Sequence, residues 1–263
     1  MLFELKENVL NNNKKTDNRY FIKLLENVFN EPIIIGNSLE ESDILIESVF
    51  SMDTLLYKKP WKYTFLFSGE SDRRVWNSII KGSNRLNTLK DYSCILKGEL
   101  SKDNIINLPL FVYYNYCYNF DPYFLSPKII NNIPNKNICV IVSNGHDSEG
   151  RNYFFEKLEK VIPIDYAGKY KNNVPQISAE HCTKDFIKFV SQYKFIISME
   201  NSKNETYITE KILHGFCANT IPIYWGSDYI TQYFNEDRFI NVENFNDAII
   251  NRVIITILDI LMN

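Results

Sequence analysis

Residues 194–227 read KFIISMENSKNETYITEKILHGFCANTIPIYWGS. The stretch opens on an apolar run, Phe195-Ile196-Ile197, and closes on another, Thr220 to Trp225. Between them lie a polar loop and a helical pattern through Ile212, Leu213, Phe216 and Cys217. Short apolar runs bounded by polar segments read as strands buried on both faces, and a helix between two of them makes a parallel βαβ unit. Such sheets hold ligands beyond the carboxyl ends of their strands, which is where residues 201–210 fall.

The same alternation extends outward. Asn137 to Val142 reads as a buried strand, Ser143 to Gly150 as a loop, and Arg151 to Val161 as a helix with Phe154, Phe155, Leu158 and Val161 on one face. Thr183 can cap a helix carrying Phe186, Ile187, Phe189 and Val190. A short helix near Tyr229 to Phe234, a strand at Phe239 to Val242 and a terminal helix from about Asn246 complete the series. The first half reads similarly. A helix is expected over Asn18 to Phe29, with strands at Pro32 to Ile35, Asp43 to Val49, Tyr63 to Phe67, Tyr92 to Leu96 and Leu108 to Tyr114. Asp121 to Asn137, with Pro122, Pro127, Pro134 and clustered Asn, is the expected linker. The expected organisation is thus α/β, with two domains facing across a cleft.

Composition narrows the function. With 263 residues and 45% hydrophobic residues the chain can bury a large core. A net charge of −3 and a pI near 5.7 exclude a nucleic-acid coat, which would carry a basic excess. No apolar run approaches the ~20 residues that span a bilayer, and Glu4 interrupts any leader, so a soluble, cytoplasmic protein is expected. The Ile- and Leu-rich stretch Ala248 to Met262 leaves peripheral membrane contact open, although Arg252 and Asp259 favour a helix packed on the core. Five cysteines without a C-x-x-C pair read as reduced, buried thiols, and no second ligand pair joins His181-Cys182 or His214 and Cys217 to make a zinc site.

The loop carries the chemistry. A helix starting near Thr209 points free backbone N–H groups and a positive dipole end into the crevice, favouring an anion, above all a phosphate. Lys211 on its first turn and Arg151 at the opening of an earlier helix add two cations, which suit a diphosphate. Glu210 can accept hydroxyl hydrogen bonds from a ribose or sugar, Tyr207 can pack a ring on a sugar or base, and Asn201 offers both donor and acceptor. The same residues also make an ordinary helix start, with Thr as cap and an acid in the first turn, so the residues by themselves leave both readings open. Neither a G-x-G-x-x-G nor a G-x-x-x-x-G-K-[ST] pattern occurs.

In order and spacing, Glu200-Asn201-Ser202, Tyr207-Ile208-Thr209-Glu210-Lys211 and Ile221-Pro222-Ile223-Tyr224-Trp225-Gly226 closely resemble the donor-binding signature of the α-1,3-fucosyltransferase family, with Met199 where the family usually has an aromatic residue. The likeness continues through Val142-Ser143-Asn144, Arg151 with Phe154 to Leu158, Gly168-Lys169-Tyr170 and Phe239 to Val242, and more weakly through Phe65 to Glu70 and Leu108 to Leu110. The resemblance implies a GT-B type architecture of two Rossmann-like domains. Residues 1–126 would bind the acceptor and 137–263 GDP-fucose, with the first domain short at its start and no strand ahead of the helix at Asn18. It implies Arg151 and Lys211 as pyrophosphate ligands, with Asn201, Tyr207, Glu210, Ser143 and Asn144 around the nucleotide sugar, and Glu70 as the general base. Glu70 is otherwise a solvated turn residue.

The implied reaction is transfer of L-fucose, with inversion, from GDP-β-L-fucose to an acceptor glycan hydroxyl, α-1,3 to N-acetylglucosamine or a related sugar. No cofactor or metal is expected, because the chain has no Asp-x-Asp and two basic side chains can replace an ion's charge. The competing readings are a transferase using another nucleotide sugar and a catalytically silent nucleotide- or glycan-binding protein.

Overall fold

The computed structural model describes residues 2–6, 19–49, 61–71, 89–120, 133–145 and 150–262. Most of the expected linker lies outside them. The chain folds as two compact units, Met1–Cys117 with Asn204–Tyr207, and Tyr118–Lys203 with Ile208–Asn263.

The first unit is a parallel sheet with helices. Its elements are β1 (Leu2–Lys6), α1 (Arg19–Phe29), β2 (Ile34–Ile35), β3 (Ile44–Ser48), β4 (Tyr63–Phe67), β5 (Cys94–Lys97), β6 (Ile105–Asn107) and α2 (Leu110–Tyr118). The strand order is β2-β1-β3-β4-β5-β6. Tyr20, Phe21 and Leu25 of α1 pack on Ile44, Ile46, Cys94 and Leu96, with Tyr113 of α2 against the same cluster. Two expectations are corrected here. Leu2–Lys6 is a strand, paired in parallel with β2 and β3, where the sequence reading places none before the first helix. Leu110–Tyr118 is a helix, and the sixth strand precedes it at Ile105–Asn107. The run LFVYYNYCY is aromatic and β-branched, so its intrinsic preference is for a strand. Pro109, whose fixed φ suits a helix opening and whose carbonyl accepts from the Val112 N–H at 3.0 Å, starts a helix that tertiary packing then retains.

The second unit contains β7 (Lys136–Val140), α3 (Arg151–Glu159), β8 (Ile164–Tyr166), α4 (Lys184–Val190), β9 (Tyr193–Met199), α5 (Glu210–Ala218), β10 (Ile221–Trp225), α6 (Ile230–Tyr233), a 3-10 turn at Glu236–Arg238, β11 (Ile240–Asn241) and α7 (Asp247–Met262). All five strands run parallel in the order β11-β10-β9-β7-β8. Strand periodicity sends alternate side chains to opposite faces. Ile138, Val140, Phe195, Ile197 and Met199 therefore meet Phe154, Phe155 and Leu158 of α3 and Ile250, Val253, Ile254 and Ile257 of α7 on one face. Cys139 and Ile196 meet Phe186 and Val190 of α4 and Ala218 of α5 on the other. Burial on both faces is why these strands read as continuous apolar runs.

Thr183 caps α4 as expected, accepting from the Phe186 N–H at 3.3 Å. Strand β8, only three residues long, has no counterpart in the sequence reading. Val161 lies past the end of α3 and is exposed, and Ile162 is buried in its place. The terminal helix packs on the core, and among the described residues no helix is long and apolar enough to cross a membrane. None of the five cysteines forms a disulfide.

Candidate functional site

In the second sheet β7 is followed in the chain by β8 on one side of it, while β9 and the strands after it lie on the other. The reversal falls between β7 and β9, which pair in parallel through Val140 and Ile197. At such a switch point the two outgoing loops part to opposite faces and leave a crevice at the carboxyl ends of the strands. The loop after β7 carries Ser143 and Asn144, both exposed, and leads into α3 at Arg151. The loop after β9 carries exposed Asn201 and leads into α5, with Glu210 and Lys211 on its first turn. Six of the expected residues thus stand at the ends of two adjacent strands.

Arg151 opens α3 after Gly150, with no acid in the first turn to offset the helix's positive end. Its side chain is buried against the unit, the guanidinium lying over the Phe155 ring at 5.9 Å while Nη2 donates to the Asn144 carbonyl at 3.2 Å. The cation is therefore fixed to the β7 loop that it accompanies.

Lys211 is held more closely. Its Nζ donates to Glu200 Oε2 at 3.0 Å and to Thr209 Oγ1 at 2.9 Å. The Thr209 N–H donates to Glu200 Oε1 at 2.7 Å, and the Thr209 hydroxyl lies 2.8 Å from Oε2. Glu200 is completely buried, and burial pushes its carboxyl above the ordinary range despite the ammonium beside it. For Glu210, burial also opposes the charge, but Lys211 and then His214 outweigh it and hold that carboxyl below the ordinary range. An ionised Glu210 keeps its capacity to accept hydroxyl hydrogen bonds.

The two remaining candidates belong to the first unit. Glu70 follows β4 in a half-buried turn, where the Ser68 hydroxyl donates to its backbone carbonyl at 3.1 Å. Tyr207 is 4% exposed and lies on the segment whose Thr206 hydroxyl donates to Asn107 Oδ1 at 2.7 Å. A Cβ at Gly98 would come within 3.0 Å of the Tyr207 Cα. Sequence reasoning misses Glu200, since an acid beside Asn, Ser and Lys reads as solvated. It considers His214 only as a metal ligand. The ring is buried with Nε2 at 3.2 Å from Cys182 Sγ, among the rings of Phe186, His181 and Phe120.

Residues 133–258 match the family described as glycosyltransferase family 10 (fucosyltransferase), C-terminal part. The chain is 35% identical over 111 residues to an alpha-(1,3)-fucosyltransferase of Helicobacter pylori, covering 41% of this chain and 22% of that protein. It is 34% identical over 119 residues to the bovine 4-galactosyl-N-acetylglucosaminide 3-alpha-L-fucosyltransferase 9, covering 43% of this chain and 31% of that one. The aligned part of the chain thus spans less than a third of either relative. A crystal structure of alpha1,3-fucosyltransferase with GDP-fucose superposes with a TM-score of 0.63 at 19% identity, over 98% of this chain and 77% of that chain, which shows a shared fold.

Proposed function

We propose, from the premise that residues 133–258 belong to the glycosyltransferase family 10 (fucosyltransferase) family, that this protein transfers L-fucose from GDP-β-L-fucose to a hydroxyl of an acceptor glycan with inversion. One observation carries the reading. Arg151 opens α3 and Lys211 lies on the first turn of α5, and the two loops leading to them leave adjacent parallel strands at the switch point of the second sheet. Two cations and two helix N-termini there suit a diphosphate.

In this reading Arg151 and Lys211 stabilise the charge that grows on the departing diphosphate, which preorganised donors do without reorganising. Glu210 and Asn201 contact the nucleotide sugar, with Ser143, Asn144 and Tyr207 completing its surroundings. Glu70 takes the acceptor hydroxyl proton as the bond to the anomeric carbon forms on the face opposite the leaving group. A positioned base of this kind contributes ~10²–10⁴ in rate. The acceptor is proposed to be a glycan presenting N-acetylglucosamine or a related sugar.

The test is incubation with GDP-fucose and a panel of N-acetyllactosamine-type, galactose and glucosamine acceptors, read by mass. A fucosylated product with the wild type, lost in Glu70→Gln, is expected. Transfer from a different nucleotide sugar, or none with any acceptor together with no GDP-fucose hydrolysis, would overturn the reading.

A further inference from the structure

Burial of an ionisable carboxylate costs several kcal/mol unless its partners are well placed. The second unit keeps one at Glu200, fully buried at the carboxyl end of β9. Its backbone N–H donates to the Trp225 carbonyl at 2.9 Å, so the strand pairing runs one residue past β9 and fixes where the side chain starts. The neighbouring strand makes room for it. A Cβ at Gly226 would lie 2.7 Å from the Glu200 Cγ, so only glycine fits there without a shift. From that position the carboxylate accepts from the Thr209 N–H, the Thr209 hydroxyl and the Lys211 ammonium. The ammonium also donates to the Thr209 hydroxyl, which closes a ring of three groups over the first turn of α5.

Helix capping does not account for the charge. Thr209 stands at the N-cap position and is the residue type that serves it without help from an acid nine positions earlier. What the carboxylate adds is a fixed place for Lys211. A free lysine side chain samples many rotamers, and ordering it costs conformational entropy.

We propose that Glu200 is a positioning residue: its buried carboxylate, with Thr209, holds the Lys211 ammonium in one place at the opening of α5 before the donor arrives. The inference rests on the reading of Lys211 as a ligand of the donor diphosphate. Glu200 touches no substrate and acts through the lysine. A lysine released from it can still follow a diphosphate already bound, and the site becomes more positive, so ground-state binding persists. Stabilisation of the charge that develops as the sugar departs depends on the ammonium's location and suffers.

The experiment compares wild type, Glu200→Gln and Thr209→Val. Gln keeps the shape and an acceptor for the Thr209 N–H but turns an N–H₂ group toward the ammonium. Thr209→Val removes the hydroxyl from the ring and leaves the buried charge. For Glu200→Gln, GDP affinity by calorimetry is expected to hold or tighten while kcat for GDP-fucose hydrolysis or transfer falls roughly 10- to 100-fold. For Thr209→Val a smaller fall in kcat is expected. Unchanged kcat in both variants, or loss of kcat and GDP affinity in step, would overturn the proposal; if Glu200→Gln does not fold, Thr209→Val alone decides on the same two readouts. A second readout is independent of the donor. The ¹³Cε signals of labelled Lys211, assigned through Lys211→Arg, should show two inequivalent ε-protons in wild type that merge in either variant. Persistence of the inequivalence in both would sink the proposal. If wild type neither binds GDP nor acts on GDP-fucose, the functional reading fails, while the lysine signals still decide whether Glu200 holds Lys211.

Discussion

Lys211 cannot be removed without consequence for Glu200, because the ammonium is a charged partner of a fully buried carboxylate. Lys211→Ala is therefore expected to lower turnover of GDP-fucose by ~10²–10³, the usual cost of losing a preorganised donor. It should also destabilise the fold by about 1–3 kcal/mol, less than for a wholly buried pair because the lysine is partly solvated. Urea unfolding of the variant without ligand checks the second effect; an unchanged midpoint would mean that the pair contributes nothing to the fold. A second prediction concerns His214, whose pKa burial lowers from 6.5 to about 3. The folded state holds the ring neutral, whereas the unfolded chain takes up a proton as pH falls below 6.5. Stability from this group is complete above that pH and is lost progressively toward pH 3. Comparing wild type with His214→Phe by thermal melting should show the wild type losing more between pH 7 and pH 4, about one to several kcal/mol on the ordinary scale of pKa linkage. Equal slopes would refute it. Neither Glu200 nor the setting of His214 is legible in the sequence. Each is a polar residue whose burial is created by distant segments, Gly226 beside Glu200 and Phe186 and Phe120 around His214.

At the scale of elements, the second unit is legible because its strands are buried on both faces and its helices carry stripes of apolar residues. The local pattern and the tertiary requirement therefore coincide for β7, β9, β10 and α5. They part where elements are short or packing overrides preference. Strand β8 has three residues, too few for a period to show, and β1 reads LFELK, with Glu4 and Lys6 interrupting its apolar run. Helix α2 forms from a β-favouring run because Tyr113 and the ring of Phe67 meet across the first core, 5.1 Å between centroids. A close contact on the other side of the second sheet gives a test. A Cβ at Gly215 of α5 would lie 2.5 Å from the Pro222 Cγ and 3.1 Å from the Ile196 Cγ2, where helix and strands approach most closely. Alanine there has better helix propensity, by about 1 kcal/mol, yet overpacks a rigid contact. Gly215→Ala is expected to lower stability by about 1–3 kcal/mol in urea unfolding. A gain in stability would show that the helix can move away from β10 without penalty.

For the whole molecule, the net charge of −3 means that the proposed recognition of a diphosphate would have to be local rather than a property of the overall field. In the role proposed for them, Arg151, Lys211 and the two helix openings would respond to a diphosphate whatever nucleoside it carries, so inorganic pyrophosphate, UDP and GDP would share that part of the binding. A preference for GDP would then have to come from contacts to the nucleoside, for which Asn201 and Glu210 are the proposed residues. A ligand that binds only the native state stabilises it by RT ln(1 + [L]/Kd), about 2.7 kcal/mol when present at ~100 times its Kd. Thermal melting with matched concentrations should therefore give a large upward shift with GDP, a small one with pyrophosphate, and a shift with UDP no larger than that with pyrophosphate. Added salt should shrink the pyrophosphate shift first, because that ligand is held by charge alone. Arg151→Ala should remove most of the GDP shift. If pyrophosphate matches GDP, the crevice is a plain anion site, and the assignment of a guanosine donor falls with it.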